Sequence, residues 1–125
     1  MKQRILVVED EEIVLNFMRT LLEKFGYEVF TVSDGLQGLA FIETRGNEID
    51  LIISDVEMPV MNGVEMLKRI RVIRPDMPVI VTSGYSDIHG EVLKNGADAF
   101  LRKPARIQEI IKTITEVMES RKGRK

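Results

Sequence analysis

The chain has 125 residues, 44% of them hydrophobic and 30% charged, which suits one globular domain with a single core. Its net charge of -2 supplies no basic field for nucleic acid or a membrane surface. With no cysteine and one histidine, His89, it excludes disulfide frameworks, thiol nucleophiles, multi-histidine metal centres and any triad that needs a partner histidine.

Residues 4–8, Arg-Ile-Leu-Val-Val, lack polar alternation and predict a strand buried on both faces. Glu9, Asp10, Glu11 and Glu12 follow, and interrupt the apolar run too early for a signal peptide or a membrane span. The expected location is cytoplasmic, in keeping with the missing cysteines. Ile13, Val14, Phe17, Met18, Leu21, Leu22 and Phe25 then recur at helical spacing, and Gly26 supplies a stop. Glu11 and Glu12 suit the positive end of that helix, whereas Glu9 and Asp10 come too early for the role.

Residues 27–32 alternate weakly and predict a strand nearer a sheet edge. Ser33, Asp34 and Gly35 turn the chain and cap a helix to about Arg45, with Leu36, Leu39, Ala40 and Ile42 inward. Gly46 and Asn47 break it ahead of residues 51–55, a second doubly buried run that ends on Asp55. Pro59 stops a strand ladder and Asn62-Gly63 supplies turn chemistry. Asp55 therefore falls at the carboxyl end of a central strand, the edge at which open α/β sheets bind ligands. In isolation it reads as a turn cap.

The next helix, over 63–74, turns Val64, Met66, Leu67, Ile70 and Ile73 inward. After Pro75 and Pro78, residues 78–82 predict a fourth strand leading into Ser83, Gly84, Tyr85 and Ser86. Ile88, Val92 and Leu93 predict a short helix over 88–95 that Gly90 weakens. A fifth strand at 100–102 precedes Lys103-Pro104, and Ile107, Ile110, Ile111, Ile114, Val117 and Met118 mark a closing helix. The expected domain covers 1–119, and 120–125 reads as a basic tail or linker remnant. Five strand-helix alternations predict one right-handed, doubly wound parallel sheet.

Such a sheet delivers Glu9 and Asp10, Asp55, Thr82 and Ser83, and Lys103 to one edge. Three carboxylates gathered there repel one another unless a cation shares the site. Oxygen ligands without histidine or cysteine favour Mg²⁺ or a close substitute such as Mn²⁺. A lysine pairs with phosphate as a point charge, a hydroxyl donates to it, and an aspartate carboxylate is a nucleophile that forms an aspartyl phosphate.

Glu9-Asp10, Asp55 in Ser-Asp-Val-Glu-Met-Pro, Gly63, Thr82-Ser83-Gly84 and Lys103-Pro104 together resemble the receiver domain of two-component response regulators, over about residues 4–118. The resemblance implies a (βα)5 flavodoxin-like fold with strand order 2-1-3-4-5. It implies a phosphorelay switch in which Asp55 is the phosphoacceptor, charged by a histidine kinase, a phosphotransfer protein or a small acyl phosphate. Asp10, Asp55 and the backbone carbonyl of Glu57 become the Mg²⁺ ligands, with Glu9 acting through water. Ser83, in preference to the adjacent Thr82, becomes the hydroxyl that meets the phosphoryl group. Lys103 pairs with Asp55 before phosphorylation and with the phosphoryl group afterwards, through a cis peptide to Pro104. Phe100 takes the aromatic switch position.

The output face implied is the fourth helix, fifth strand and fifth helix, on a monomer or weak dimer. No direct nucleic-acid contact or membrane segment is expected, and turnover is slow self-catalysed dephosphorylation, not enzymatic catalysis. Ser83-Gly84-Tyr85-Ser86 with Phe100-Leu101 and Lys103-Pro104 is also similar to receivers at the C-terminus of hybrid sensor histidine kinases. Four departures stand out. Glu9 replaces the commoner Asp, Phe100 lacks a tyrosine hydroxyl, and Ala105 stands where a large apolar residue is frequent, which implies either a looser corner or an open output groove. The stretch 83–96 is also short by roughly half a helical turn, which predicts a curtailed fourth helix.

Three other readings compete. A dehalogenase-type phosphohydrolase also uses a strand-end aspartate with an acid two residues on, as Asp55 and Glu57 stand, but that acid is normally Asp and there is no room for a cap domain. A flavin or nucleotide module lacks its Gly-rich phosphate loop here. A pseudo-receiver that only binds partners is disfavoured because every pocket residue type is present.

Overall fold

The computed structural model describes residues 2–122. Strands β1 (Arg4–Val8), β2 (Glu28–Val32), β3 (Leu51–Asp55), β4 (Val79–Ser83) and β5 (Ala99–Arg102) form one parallel sheet in the order β2-β1-β3-β4-β5. Helices α1 (Glu12–Lys24), α2 (Gly35–Arg45), α3 (Gly63–Ile73), α4 (His89–Lys94) and α5 (Ile107–Lys122) alternate with them. This is the expected flavodoxin-like arrangement. The order reverses between β1 and β3, which makes their carboxyl ends the topological switch point. Register pairs Val8 with Ser54, Asp55 with Thr82 and Ser83 with Arg102, so the four strands end nearly level.

Alternate strand side chains feed two cores, because successive residues of a strand face opposite sides of the sheet. Leu6, Ile52, Val79 and Val81 pack with Leu39, Ile42, Met66, Leu67, Ile70 and Val92 on the α2–α3–α4 side. Ile5, Val7, Ile53, Ile80 and Leu101 pack with Met18, Leu21, Leu22, Ile110 and Ile114 on the α1–α5 side. All five residues of β3 are buried, as the unbroken apolar run demands. Caps anchor two helices beside the site: Asp34 accepts from the Gln37 N–H at 2.8 Å and Asn62 from the Glu65 N–H at 2.9 Å, each worth about 1 kcal/mol. Gly26, with φ of 94°, ends α1 in the left-handed region.

Leu36, Ala40 and Ile73 do not turn inward as expected, and other apolar residues of the helical periods stay outside too. Ile13, Phe17, Phe25, Leu36, Ala40 and Ile73 are exposed, because each helix meets the sheet along one stripe and apolar residues at its margins stay outside. In α1 the buried stripe is Met18, Leu21 and Leu22, and Ile13 and Phe17, one turn apart, flank it in solvent. Leu93 and Ile107 are likewise exposed while Val92 and Ile110 are buried. The fourth helix is regular but spans only His89–Lys94, after a 3₁₀ turn at Ser86–Ile88. Helix α5 continues through Ser120 to Lys122, and residues 123–125 of the basic tail lie outside the described residues.

Candidate functional site

Asp55 ends β3 and is buried, with 3% of its surface exposed. Its Oδ2 lies 3.1 Å from Lys103 Nζ, while Oδ1 is buried without a hydrogen-bond partner. The loop beyond it folds back over the strand end. The Val56 N–H donates to the Thr82 carbonyl and the Gly63 N–H to the Val56 carbonyl, both at 3.0 Å. A Cβ on Gly63 would sit 2.2 Å from the Asp55 carbonyl oxygen, so only glycine allows this closure. Val60, at the loop's tip, holds φ at 69°, a left-handed conformation that is costly for a β-branched residue.

Lys103 reaches the pocket from the end of β5 and forms a second ion pair, Nζ to Glu9 Oε1 at 2.9 Å. Glu9 is buried too, and its Oε2 accepts from the Glu11 N–H at 3.1 Å. Burial pushes the Asp55 carboxyl up to about 6, the charge of Glu9 adds to the shift, and the attraction of Lys103 offsets only part of it. Burial works against the Lys103 ammonium, but its bond to Glu9 and its contact with Asp55 prevail and raise it above the usual lysine range.

Three expected residues, Glu9, Asp10 and Asp55, converge, with one oxygen from each within 4.8 Å of the others. Among the described residues, Lys103 pairs with two of these three carboxylates, Glu9 and Asp55. An unpartnered buried oxygen on Asp55, an exposed Asp10 and an all-oxygen donor set fit a hard divalent cation. Glu9 is nonetheless held by direct contacts, so its longer arm serves the Lys103 ion pair as well as any role toward a metal. The signal for that pairing was its side-chain length.

Ser83 is fully buried, but its Oγ donates to Glu57 Oε2 at 2.7 Å, not to Asp55. Its oxygen also accepts from the Tyr85 N–H at 3.0 Å. Thr82 faces elsewhere: its hydroxyl approaches the Ser54 carbonyl at 3.5 Å and its side chain lines a cavity beneath Asp55. Phe100 is half-buried and stacks on His89, with ring centroids 4.7 Å apart and planes 16° from parallel. The sequence reading missed the carboxylate of Glu57 and the ring of His89 as partners. No local pattern announces either contact, since each joins two different loops or elements.

The cavity, about 370 Å³, runs between α1 and α5 under the pocket, walled by Val14, Met18, Ile53, Leu101 and Ile110. Ala105 is among the residues that line it. No described helix is long and apolar enough to cross a membrane.

The chain is similar in sequence and fold to known proteins. The family model described as response regulator receiver domain matches residues 5–115. The two-component response regulator ARR10 of Arabidopsis thaliana is 37% identical over 109 residues, covering 86% of this chain and 20% of that protein. The sensor kinase CckA of Brucella abortus is 35% identical over 117 residues, 92% of this chain and 12% of the kinase. The chain thus spans a fifth or less of the length of these two relatives. Among solved structures, a response regulator receiver domain protein from Clostridium thermocellum superposes with a TM-score of 0.91 at 35% identity, over 96% of this chain and 97% of that one. A CheY-like receiver domain protein from Methanospirillum hungatei gives 0.91 at 33% identity over the whole of both chains.

Proposed function

Since the chain belongs to the response regulator receiver family, a family of signalling domains, we propose that it is a phosphoacceptor switch charged at Asp55. The observation that carries this reading is the buried strand-end carboxylate with one oxygen on Lys103 and the other unpartnered. A lone pair of that carboxylate attacks phosphorus. The new O–P bond forms as the bond from phosphorus to the donor, a histidine imidazole nitrogen or an acyl carboxylate oxygen, breaks with its electrons on the leaving group. Lys103 then transfers its contact from the carboxylate to the phosphoryl oxygens, and the Ser83 hydroxyl supplies a further donor.

Asp10, Asp55 and the backbone carbonyl of Glu57 would hold Mg²⁺ or Mn²⁺, with Glu9 behind them. When bound, the ion neutralises charge on the carboxylates and the transferring oxygens. Phosphorylation adds roughly -1.5 to -2 charge at Asp55. It draws Ser83 and Lys103 inward, makes room for Phe100, and reshapes the face formed by α4, β5 and α5, a two-state element biased by a local charge. The chain acts stoichiometrically, with slow self-catalysed hydrolysis. Residues 1–119 form the switch, which works in the cytoplasm with a histidine kinase or phosphotransfer protein as donor.

Intact mass after incubation with Mg²⁺ and acetyl phosphate tests the reading. One phosphoryl adduct is expected on the wild type and none on Asp55→Asn. Absence of an adduct on a protein that binds Mg²⁺ would return the chain to a partner-binding pseudo-receiver.

A further inference from the structure

The side chain of Glu57 is not needed for any role above, yet it ties the loop after β3 to the last residue of β4 and to the residue beyond it. Its Oε2 accepts the Ser83 hydroxyl proton at 2.7 Å, and its Oε1 faces the Gly84 N–H at 3.4 Å. A serine hydroxyl has a single proton to donate. While that hydroxyl is hydrogen-bonded to Glu57, Ser83 has no proton to donate to a phosphoryl oxygen on Asp55. The bond to an ionised carboxylate is also of the stronger, charge-assisted kind.

We propose that Glu57 is a resting-state latch: its carboxylate occupies the Ser83 hydroxyl and holds the loop after β4 back until a phosphoryl group on Asp55 displaces it. The inference rests on the phosphoacceptor reading and adds a competitor to it. Two anionic acceptors, the Glu57 carboxylate and the phosphoryl group, contend for one proton. The charge of Glu57 already bears on Asp55 two residues away. Added negative charge on Asp55 therefore repels Glu57 as it attracts Ser83. Glu57 is exposed, so its released carboxylate goes to water at little cost, whereas Ser83 is fully buried and must find another acceptor. The exchange thus runs one way once the phosphoryl group is present. In its absence the latch suppresses the active arrangement.

The test is a double-mutant cycle read by binding of beryllium trifluoride, a phosphoryl analogue, with Mg²⁺, followed through the backbone amide signals of Gly84 and Tyr85. Glu57→Ala is expected to tighten binding roughly tenfold, the scale of one charge-assisted hydrogen bond released. Glu57→Gln, which keeps an acceptor without the charge, falls between. In a Ser83→Ala background the gain from Glu57→Ala disappears, because no hydroxyl remains to be held. The Gly84 and Tyr85 amides of unliganded Glu57→Ala also move toward their positions in the liganded wild type. An equal gain in both backgrounds means that Glu57 acts only by bulk repulsion, and overturns the latch while leaving the phosphoacceptor reading intact. No binding to any of the proteins, with no adduct from acetyl phosphate, removes both.

Discussion

Lys103 Nζ stands 3.1 Å from Asp55 Oδ2 while also contacting Glu9 at 2.9 Å. One partly exposed ammonium therefore holds two buried carboxylates that would otherwise repel each other across the head of the sheet. The arrangement is poised, since one ammonium serves two carboxylates and its central oxygen is open.

Replacing Lys103 with methionine keeps the stem and removes the charge. Breaking a buried ion pair from one side is costly, and because Lys103 retains a quarter of its side-chain exposure the expected loss is on the order of 2–3 kcal/mol at pH 7.5. Urea unfolding measures it. The loss should shrink at pH 5 as Asp55 takes up a proton. A variant equally destabilised at both pH values would show that lost packing, not unpaired charge, is the cause.

Asp55→Asn should stabilise the metal-free protein at neutral pH. The folded-state carboxyl is pushed up to about 6, above its ordinary value of 3.8. Its favourable contribution to folding is thus fully present below the ordinary value and lost as pH rises through about 6. A permanently neutral asparagine does not lose it. With EDTA present, the variant should exceed wild type by on the order of 1–3 kcal/mol at pH 8, with the difference fading between pH 6 and 4. A gain independent of pH counts against this account.

Divalent metal should stabilise the wild type through the acidic cluster. At Mg²⁺ near ten times its Kd the gain is about 1.4 kcal/mol, several degrees in Tm for a domain of this size. Asp10→Asn should abolish most of that shift, and EDTA should reverse it in the wild type. Because the cation competes with a proton at Asp55, the shift should also weaken as pH falls through about 6. Scanning calorimetry with and without Mg²⁺ reads all three, and an undiminished shift in the Asp10 variant would relocate the metal.

Two glycine substitutions should have opposite signs. Gly63→Ala drives a Cβ to within 2.2 Å of backbone at Asp55 and should cost on the order of 3 kcal/mol. Gly90→Ala, in a helix with nothing within 4 Å of the added carbon, should gain about 0.5–1 kcal/mol. Equal effects in thermal unfolding would mean that the loop after β3 relaxes more easily than its geometry implies.

The stack of His89 on Phe100 gives the switch position a resting partner. His89→Ala should destabilise the unphosphorylated protein by about 1 kcal/mol and shift the ring protons of Phe100. Unchanged ring signals would show that the contact does not persist in solution.

By itself the sequence determined the five strands and the gathering of Asp10, Asp55 and Lys103 at their ends, because apolar runs and breakers act locally and a doubly wound fold sends every strand's carboxyl end to one edge. It also foretold the short fourth helix from a spacing deficit before Gly96. Tertiary structure alone decided which partner each polar group takes. Glu9 pairs with Lys103, the Glu57 carboxylate accepts from Ser83, and Leu36 and Ala40, expected inward, stand exposed. These contacts join segments far apart in the chain, and their energies depend on distances of a few tenths of an ångström and on burial. Neither quantity is written in the periodicity of the sequence.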